Sequence, residues 1–171
     1  NTFEGVESDE REFKTTVQGI TSTILLYSNN DNGTHVEQGS LVNVAIAGGL
    51  NTETKTVLNP AFRDSRHTLS AGQSFKATRS GTTVTTVTGL PVSQPAQTIS
   101  FNDKFDVTFV GVEPVTVPAG TFQACRFENR ADASNIITEW VGTNGVLMKS
   151  TQNNGMTVLL SASINGLPVT P

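Results

Sequence analysis

From Phe105 to Ile164 the chain repeats one local pattern. Short runs rich in Val, Ile, Thr and Phe are separated by turn signals at roughly regular spacing. These signals fall at VPAG (117–120), ADAS (131–134), GTNG (142–145) and QNNG (152–155). Regularly spaced strands joined by short turns predict an antiparallel meander, and no segment shows an apolar stripe of helical period longer than two turns. KFDVTFVGVE (104–113) is the clearest strand. Phe105, Val107 and Phe109 share one face, Asp106 and Thr108 begin the other, and Val110 and Val112 continue it. That pattern predicts a strand half-exposed at its start and covered on both faces at its end.

The first hundred residues read less regularly. Residues 1–12 are acidic and aperiodic, a loose lead-in. Phe13 to Asn29 reads as one long strand, bent at Gly19 where a missing side chain permits a kink. NNDNG (29–33) is a turn, because Asn and Gly accept positive φ cheaply. LVNVAIAG (41–48) and KTVLN (55–59) read as strands, the second broken at Pro60. SFKATRSGTTVTTVTG (74–89) reads as two strands meeting at Ser80-Gly81, and LPVSQPAQ (90–97) as a loop. Residues 166–171 are expected as a stiff tail or linker. No repeat of 20–50 residues is visible. The expected fold is a single all-β domain over 1–171, a curved antiparallel sheet with a half-barrel or barrel-like form.

Composition narrows the function classes. The chain has 171 residues, 36% hydrophobic and 15% charged, with Thr, Ser, Asn and Gly filling the remainder. It carries a formal net charge of −4 and no basic stripe, which argues against nucleic acid as a partner. No run of eighteen apolar residues is present, so no transmembrane helix is expected. The single Cys excludes an intramolecular disulfide. Few Lys, many polar uncharged residues and an Asn at the first position suggest an exported protein with its leader removed, in the periplasm or on the outer surface.

Motifs for catalysis or metal binding are weak. His35 and His67 lie far apart, in none of the short-spaced pairs that zinc favours, and read as exposed or loop histidines. NNDNG lacks the alternating ligands and terminal Glu of a calcium loop. Cys125 has no neighbouring His and shares a strand face with Gln123 and Phe127, so it reads as an inert filler. Glu128 and Glu139 fall on adjacent expected strands near Arg126 and Arg130, where cross-strand ion pairs explain them. AGGLNTETK (47–55) lacks the ending of a phosphate loop. No catalytic residue, metal ligand or cofactor is assigned. The aromatic residues of the C-terminal half form either a core or the wall of a cavity.

The segment Val112 to Ser150 resembles a known pattern. VPAGTF (117–122) followed by Cys125, and then Trp140 with Gly145, Val146, Leu147 and Lys149, is similar to a motif of bacterial exported proteins and lipoproteins. These look related to the DUF3108-like and LolA/LolB-like half-barrel proteins. The turn Val141-Gly142-Thr143-Asn144-Gly145 departs from that pattern. The resemblance implies a curved antiparallel sheet and an extracytoplasmic compartment, and by extension a concave face that holds lipid.

Three readings of function follow. In the first, an exported, non-enzymatic envelope protein binds a lipid, another apolar small molecule or an envelope protein partner on a concave sheet face. Phe105, Phe109, Phe127 and Trp140 are the candidate ligand-binding residues. The second is a structural or adhesive surface module with a filled core. The third is a hydrolase without a recognisable motif.

Overall fold

The computed structural model describes the chain except residues 18, 19, 33, 47, 143, 144, 154, 162, 165 and 166, and describes 13–17, 163, 164 and 167 by backbone alone. Among the described residues the fold is all-β, with one 3-10 turn at Arg66–Thr68. The strands of the N-terminal half are β1 (Thr2–Phe3), β2 (Val6–Glu7), β3 (Asp9–Val17), β4 (Ile20–Asp31), β5 (Thr34–Ile46), β6 (Leu50–Asp64) and β7 (Ser74–Thr88). Those of the C-terminal half are β8 (Gln97–Val117), β9 (Gly120–Arg130), β10 (Ile136–Gly142), β11 (Leu147–Gln152), β12 (Gly155–Val158), β13 (Ser163–Ile164) and β14 (Leu167–Pro168). Strands β3 to β12 are hydrogen-bonded in strict chain order into one ten-stranded sheet, and β1-β2 and β13-β14 form separate two-stranded pairs. The all-β class and the antiparallel meander are as the turn spacing predicts.

Several local expectations are corrected. Phe13 to Asn29 is not one strand: Val17 pairs with Ile20, so β3 and β4 are antiparallel neighbours. The expected kink at Gly19 lies outside the described residues, as does Gly33. The turn expected over Asn29–Gly33 is shorter than that, because Asn29, Asn30 and Asp31 belong to β4 and pair with Val36, His35 and Thr34. Ser80-Gly81 is no turn, because β7 runs through it and Gly81 pairs with Leu58. A Cβ on Gly81 would fall onto the Val57 carbonyl oxygen, so glycine serves a close approach of strands there. Pro60 does not end its strand. β6 continues to Asp64, and residues 58–61 slip out of register between the Gly39–Val57 and Glu37–Phe62 pairs, where a missing N–H is tolerated. The first twelve residues are not loose, since Phe3 is buried. The C-terminal residues are not a free tail, since Val169 packs on a core cluster.

The chain forms two compact units. The first comprises Asn1–Asp64 and Thr78–Asp103. Phe3 stacks on Tyr27, whose strand partner is Gly39, and a Cβ on Gly39 would strike both the Phe3 ring and the Thr56 carbonyl. Val36, Leu58 and Phe62 are its other buried apolar residues. Elsewhere this unit's sheet is wetted on both sides. Residues 21–26 of β4, 41–44 of β5, 54–57 of β6 and 80–87 of β7 are all half-buried, although successive residues point to opposite faces. β-Branched Thr suits such a surface, and its hydroxyls pair across strands: Thr54 with Thr85 at 3.3 Å and Thr56 with Thr83 at 3.1 Å.

The second unit comprises Ser65–Ala77 and Lys104–Pro171. Its key irregularity is a β-bulge at Val110. Phe109 pairs with Phe127 but Gly111 pairs with Arg126, so β8 carries one extra residue and its odd-numbered side chains change face. Before the bulge they join Phe127; after it Val115 and Val117 join Phe122 and Ala124. The latter four are buried with Met148, and Trp140, Val158 and Val169 pack around them. The bulge also corrects the expected burial of the end of KFDVTFVGVE, because Val110 and Val112 are exposed.

Candidate functional site

The four aromatic residues expected to line one surface divide between two. Phe105, Val107 and Phe109 share a face of β8, and Phe109 lies directly opposite Phe127 with ring centroids 5.2 Å apart. On β10 the partner of Phe127 is Glu139, and Trp140 pairs with Arg126. Adjacent residues of a strand point apart, so Trp140 belongs to the opposite face.

The Phe127 face is covered by the chain itself. The Arg66 guanidinium lies 5.5 Å from the Phe127 ring centroid and donates to Glu139 Oε2 at 2.8 Å. Asn129 Nδ2 donates to the same carboxylate oxygen at 2.8 Å. Phe127 is left 2% exposed, so its ring offers no surface to a ligand. Backbone bonds hold the covering segment in place, from Gly72 N to Phe109 O at 2.7 Å and from Phe109 N to Gln73 O at 3.0 Å.

On the Trp140 face the indole N–H donates to Glu113 Oε1 at 2.6 Å. The Lys149 ammonium and the Arg126 guanidinium lie 4.8 and 5.8 Å from the Trp140 ring centroid, within cation–π range. Arg126 also donates to Glu128 at 2.8 Å. The expected neighbours Glu128 and Glu139 therefore point to opposite faces. The ion pairs of Glu128 run along β9, to Arg126 and Arg130, while Arg126 also reaches across strands to Glu113 on β8 at 3.8 Å, as expected of a cross-strand pair.

The remaining candidates are dispersed. His35 lies with Nδ1 3.3 Å from Arg11 Nη2, and His67 is exposed in the 3-10 turn. Cys125 is a half-buried free thiol opposite Val141 and Val112. Among the described residues no three His, Cys, Asp or Glu side chains gather closely enough to hold a metal ion. The ADAS turn is built on Asp132, whose Oδ1 accepts from the Ser134 hydroxyl at 2.7 Å and from the Ser134 and Asn135 backbone N–H groups at 2.8 Å each. These donors hold its carboxyl below the usual aspartate range.

Two open grooves stand out among the described residues. One, about 360 Å³ in the second unit, is lined by Ser74, Lys76, Asp106, Thr108 and Arg130 among others. Its charges are paired: Lys76 lies 3.4 Å from Asp106, and Arg130 lies 4.0 Å from Glu128. The other, about 310 Å³ in the first unit, is lined by Thr and Asn side chains and one carboxylate, together with Val44 and Ala45. Thr23, Asn43, Glu53 and Thr86 form a straight row across β4, β5, β6 and β7. The sequence reading assigned none of these four. Their only signal was alternation of Thr, Asn and Glu along strands, which any solvated sheet face shares.

No family model, curated protein or solved structure matches this chain.

Proposed function

We propose that this chain is a non-enzymatic module of an extracytoplasmic surface that works by presenting the faces of its sheet, an adhesive or structural role. The observation that carries the reading is the two-sided wetting of β4 to β7 in the first unit, where Thr hydroxyls bond one another across strands. A sheet of long strands whose two faces both stay part-exposed, mixing Thr with Leu, Ile and Val, offers broad, regular contact surface. The polar composition and low lysine content suit an extracytoplasmic setting.

An apolar-ligand role has less support. Of its four candidate residues, Phe127 is covered by Arg66, and Trp140 faces away from the other three.

Retention of labelled protein on isolated bacterial envelope fragments tests the proposal. Thr54→Lys with Thr85→Lys on one face, and Thr23→Lys with Thr86→Lys on the other, are compared with unsubstituted protein. Loss of retention in at least one pair, with a folded circular dichroism spectrum, is expected. Thr54→Lys with Thr85→Lys also lowers the melting temperature, because it sets like charges on directly opposite residues and removes their hydrogen bond. No retention of the unsubstituted chain, together with acyl lipid released from it by organic extraction, would return the function to apolar-ligand carriage.

A further inference from the structure

We infer that the groove over β4 to β7 is a binding site for a neutral polyhydroxylated ligand, a saccharide chain lying across the strands. The inference deepens the surface-module reading and rests on it.

The argument begins with register. Residues directly opposite in an antiparallel ladder point to the same side. Thr23–Asn43–Glu53–Thr86 is one such row, and Thr21–Ala45–Asn51–Thr88, two residues further along each strand, is the next. Both rows line the groove. With strands about 4.8 Å apart, a row spans roughly 14 Å over its three inter-strand steps, and the rows are separated by roughly 7 Å. The strand spacing is close to the length of one pyranose ring. An extended saccharide crossing the strands therefore meets a fresh polar side chain with each sugar.

The chemistry of the wall selects the ligand. A Thr hydroxyl both donates and accepts, an Asn amide does both at separate atoms, and a carboxylate accepts from two donors at once. That set matches vicinal hydroxyls, which also donate and accept. Glu53 is suited to take both protons of a vicinal diol. No Lys or Arg lines the groove, so nothing there compensates an anionic ligand, and Glu53 disfavours one. The apolar lining residues are Val44 and Ala45, both small, which give an acyl chain only a short apolar contact. A peptide that binds by adding a strand needs a free edge, and β4 to β7 are interior strands of the sheet. The volume, about 310 Å³, is at the small end of ligand sites and suits a few sugar rings.

The test is a titration of isotope-labelled full chain, followed by amide NMR, with β-1,4-linked and α-1,4-linked gluco-oligosaccharides and β-1,4-linked chito-oligosaccharides. Saturable shifts confined to the two rows are expected for at least one of these. Asn43→Ala with Thr86→Ala should weaken that binding about tenfold, and Glu53→Gln should weaken it less, both with an unchanged melting temperature. A folded spectrum with no saturable shift up to the solubility of every saccharide overturns the groove assignment, as do shifts confined to the second unit. If envelope retention persists in that case, the surface-module reading stands while the saccharide site falls. If saccharides bind but the chain is not retained on envelope, the reverse holds.

Discussion

The rings of Phe3 and Tyr27 stack with centroids 4.3 Å apart and planes 14° from parallel. Tyr27 pairs with Gly39, the bare position that the Phe3 ring covers. An aromatic laid over a strand glycine restores the packing that the glycine lacks. It also ties the first residues of the chain to the sheet of the first unit.

The Tyr27 hydroxyl should report this contact. Burial raises its pKa above 10.0, and Glu10, its partner on β3, adds to the rise through its charge and a hydrogen bond. The neutral phenol is thus favoured in the fold. Its contribution to stability is fully present below the unfolded value of about 10 and is lost as pH rises through the folded value. Tyr27 is the only tyrosine, so phenolate absorbance reads it directly. Phe3→Ala should bring the midpoint back towards 10 and cost about 3 kcal/mol in denaturant unfolding. An unmoved midpoint in that variant would show that Phe3 does not shield the hydroxyl.

Gly81 tests the close approach of β6 and β7. Gly81→Ala places a methyl against the Val57 carbonyl and should destabilise by about 1–3 kcal/mol. Ser80→Ala removes one hydrogen bond from the Ser80 hydroxyl to Asn59 O and should cost about 1 kcal/mol or less. A cost for Gly81→Ala below about 0.5 kcal/mol would show that the strands do not approach closely at this position.

The continuous strand at Ser80-Gly81, where a turn was expected, shows what was legible in the sequence. Alternation and turn residues were enough to identify the meander from β8 onward, because each turn there is short and local. The Ser80-Gly81 pair resembles a turn, since close strand approach and chain reversal both select glycine, and only the strand partner tells them apart. The bulge at Val110 was equally silent: a phase change in one strand has meaning only against the unbulged β9. That single residue separates Phe109 from Val115 and Val117. Trp140 and Phe127 fell on opposite faces through their register across β9 and β10, a long-range quantity. The groove row of Thr23, Asn43, Glu53 and Thr86 depends on three such registers at once, so no local pattern could mark it.

Glu139 and Glu128 should differ in their weight. Glu139 accepts from both Arg66 and Asn129, and its side chain and that of Arg66 are 23% and 18% exposed. Glu139→Ala should therefore cost about 2 kcal/mol, leaving two donors unpaired over Phe127. Glu128 pairs with the more exposed Arg126 and Arg130, and its loss should cost about 1 kcal/mol or less. Equal costs in urea unfolding would remove the distinction between the two faces of β9.

Cys125 is expected to be dispensable. It is half-buried among Val112, Val141 and Phe127. Cys125→Ala and Cys125→Ser should unfold within about 1 kcal/mol of the parent and keep envelope retention. Loss of retention with unchanged stability would give the thiol a role that its surroundings do not suggest.

Asp132 sets an acid limit on the ADAS turn. Its pKa is depressed below 3.8, first by the Ser134 hydroxyl and then by the Ser134 and Asn135 backbone N–H groups, all of which bond the ionised form. A depressed folded value means that the turn's stabilisation is present above the unfolded pKa and fades as pH falls through the folded one. The side-chain carbon of Asp132, followed by NMR, should therefore titrate below 3.8. Ser134→Ala removes the largest cause but leaves both backbone donors, so the midpoint should rise only part of the way. In that variant the β9–β10 amides should also begin to exchange at a higher pH on acidification than in the parent. A midpoint at 3.8 or above in the unsubstituted chain would mean that the three donors do not hold the carboxylate in solution.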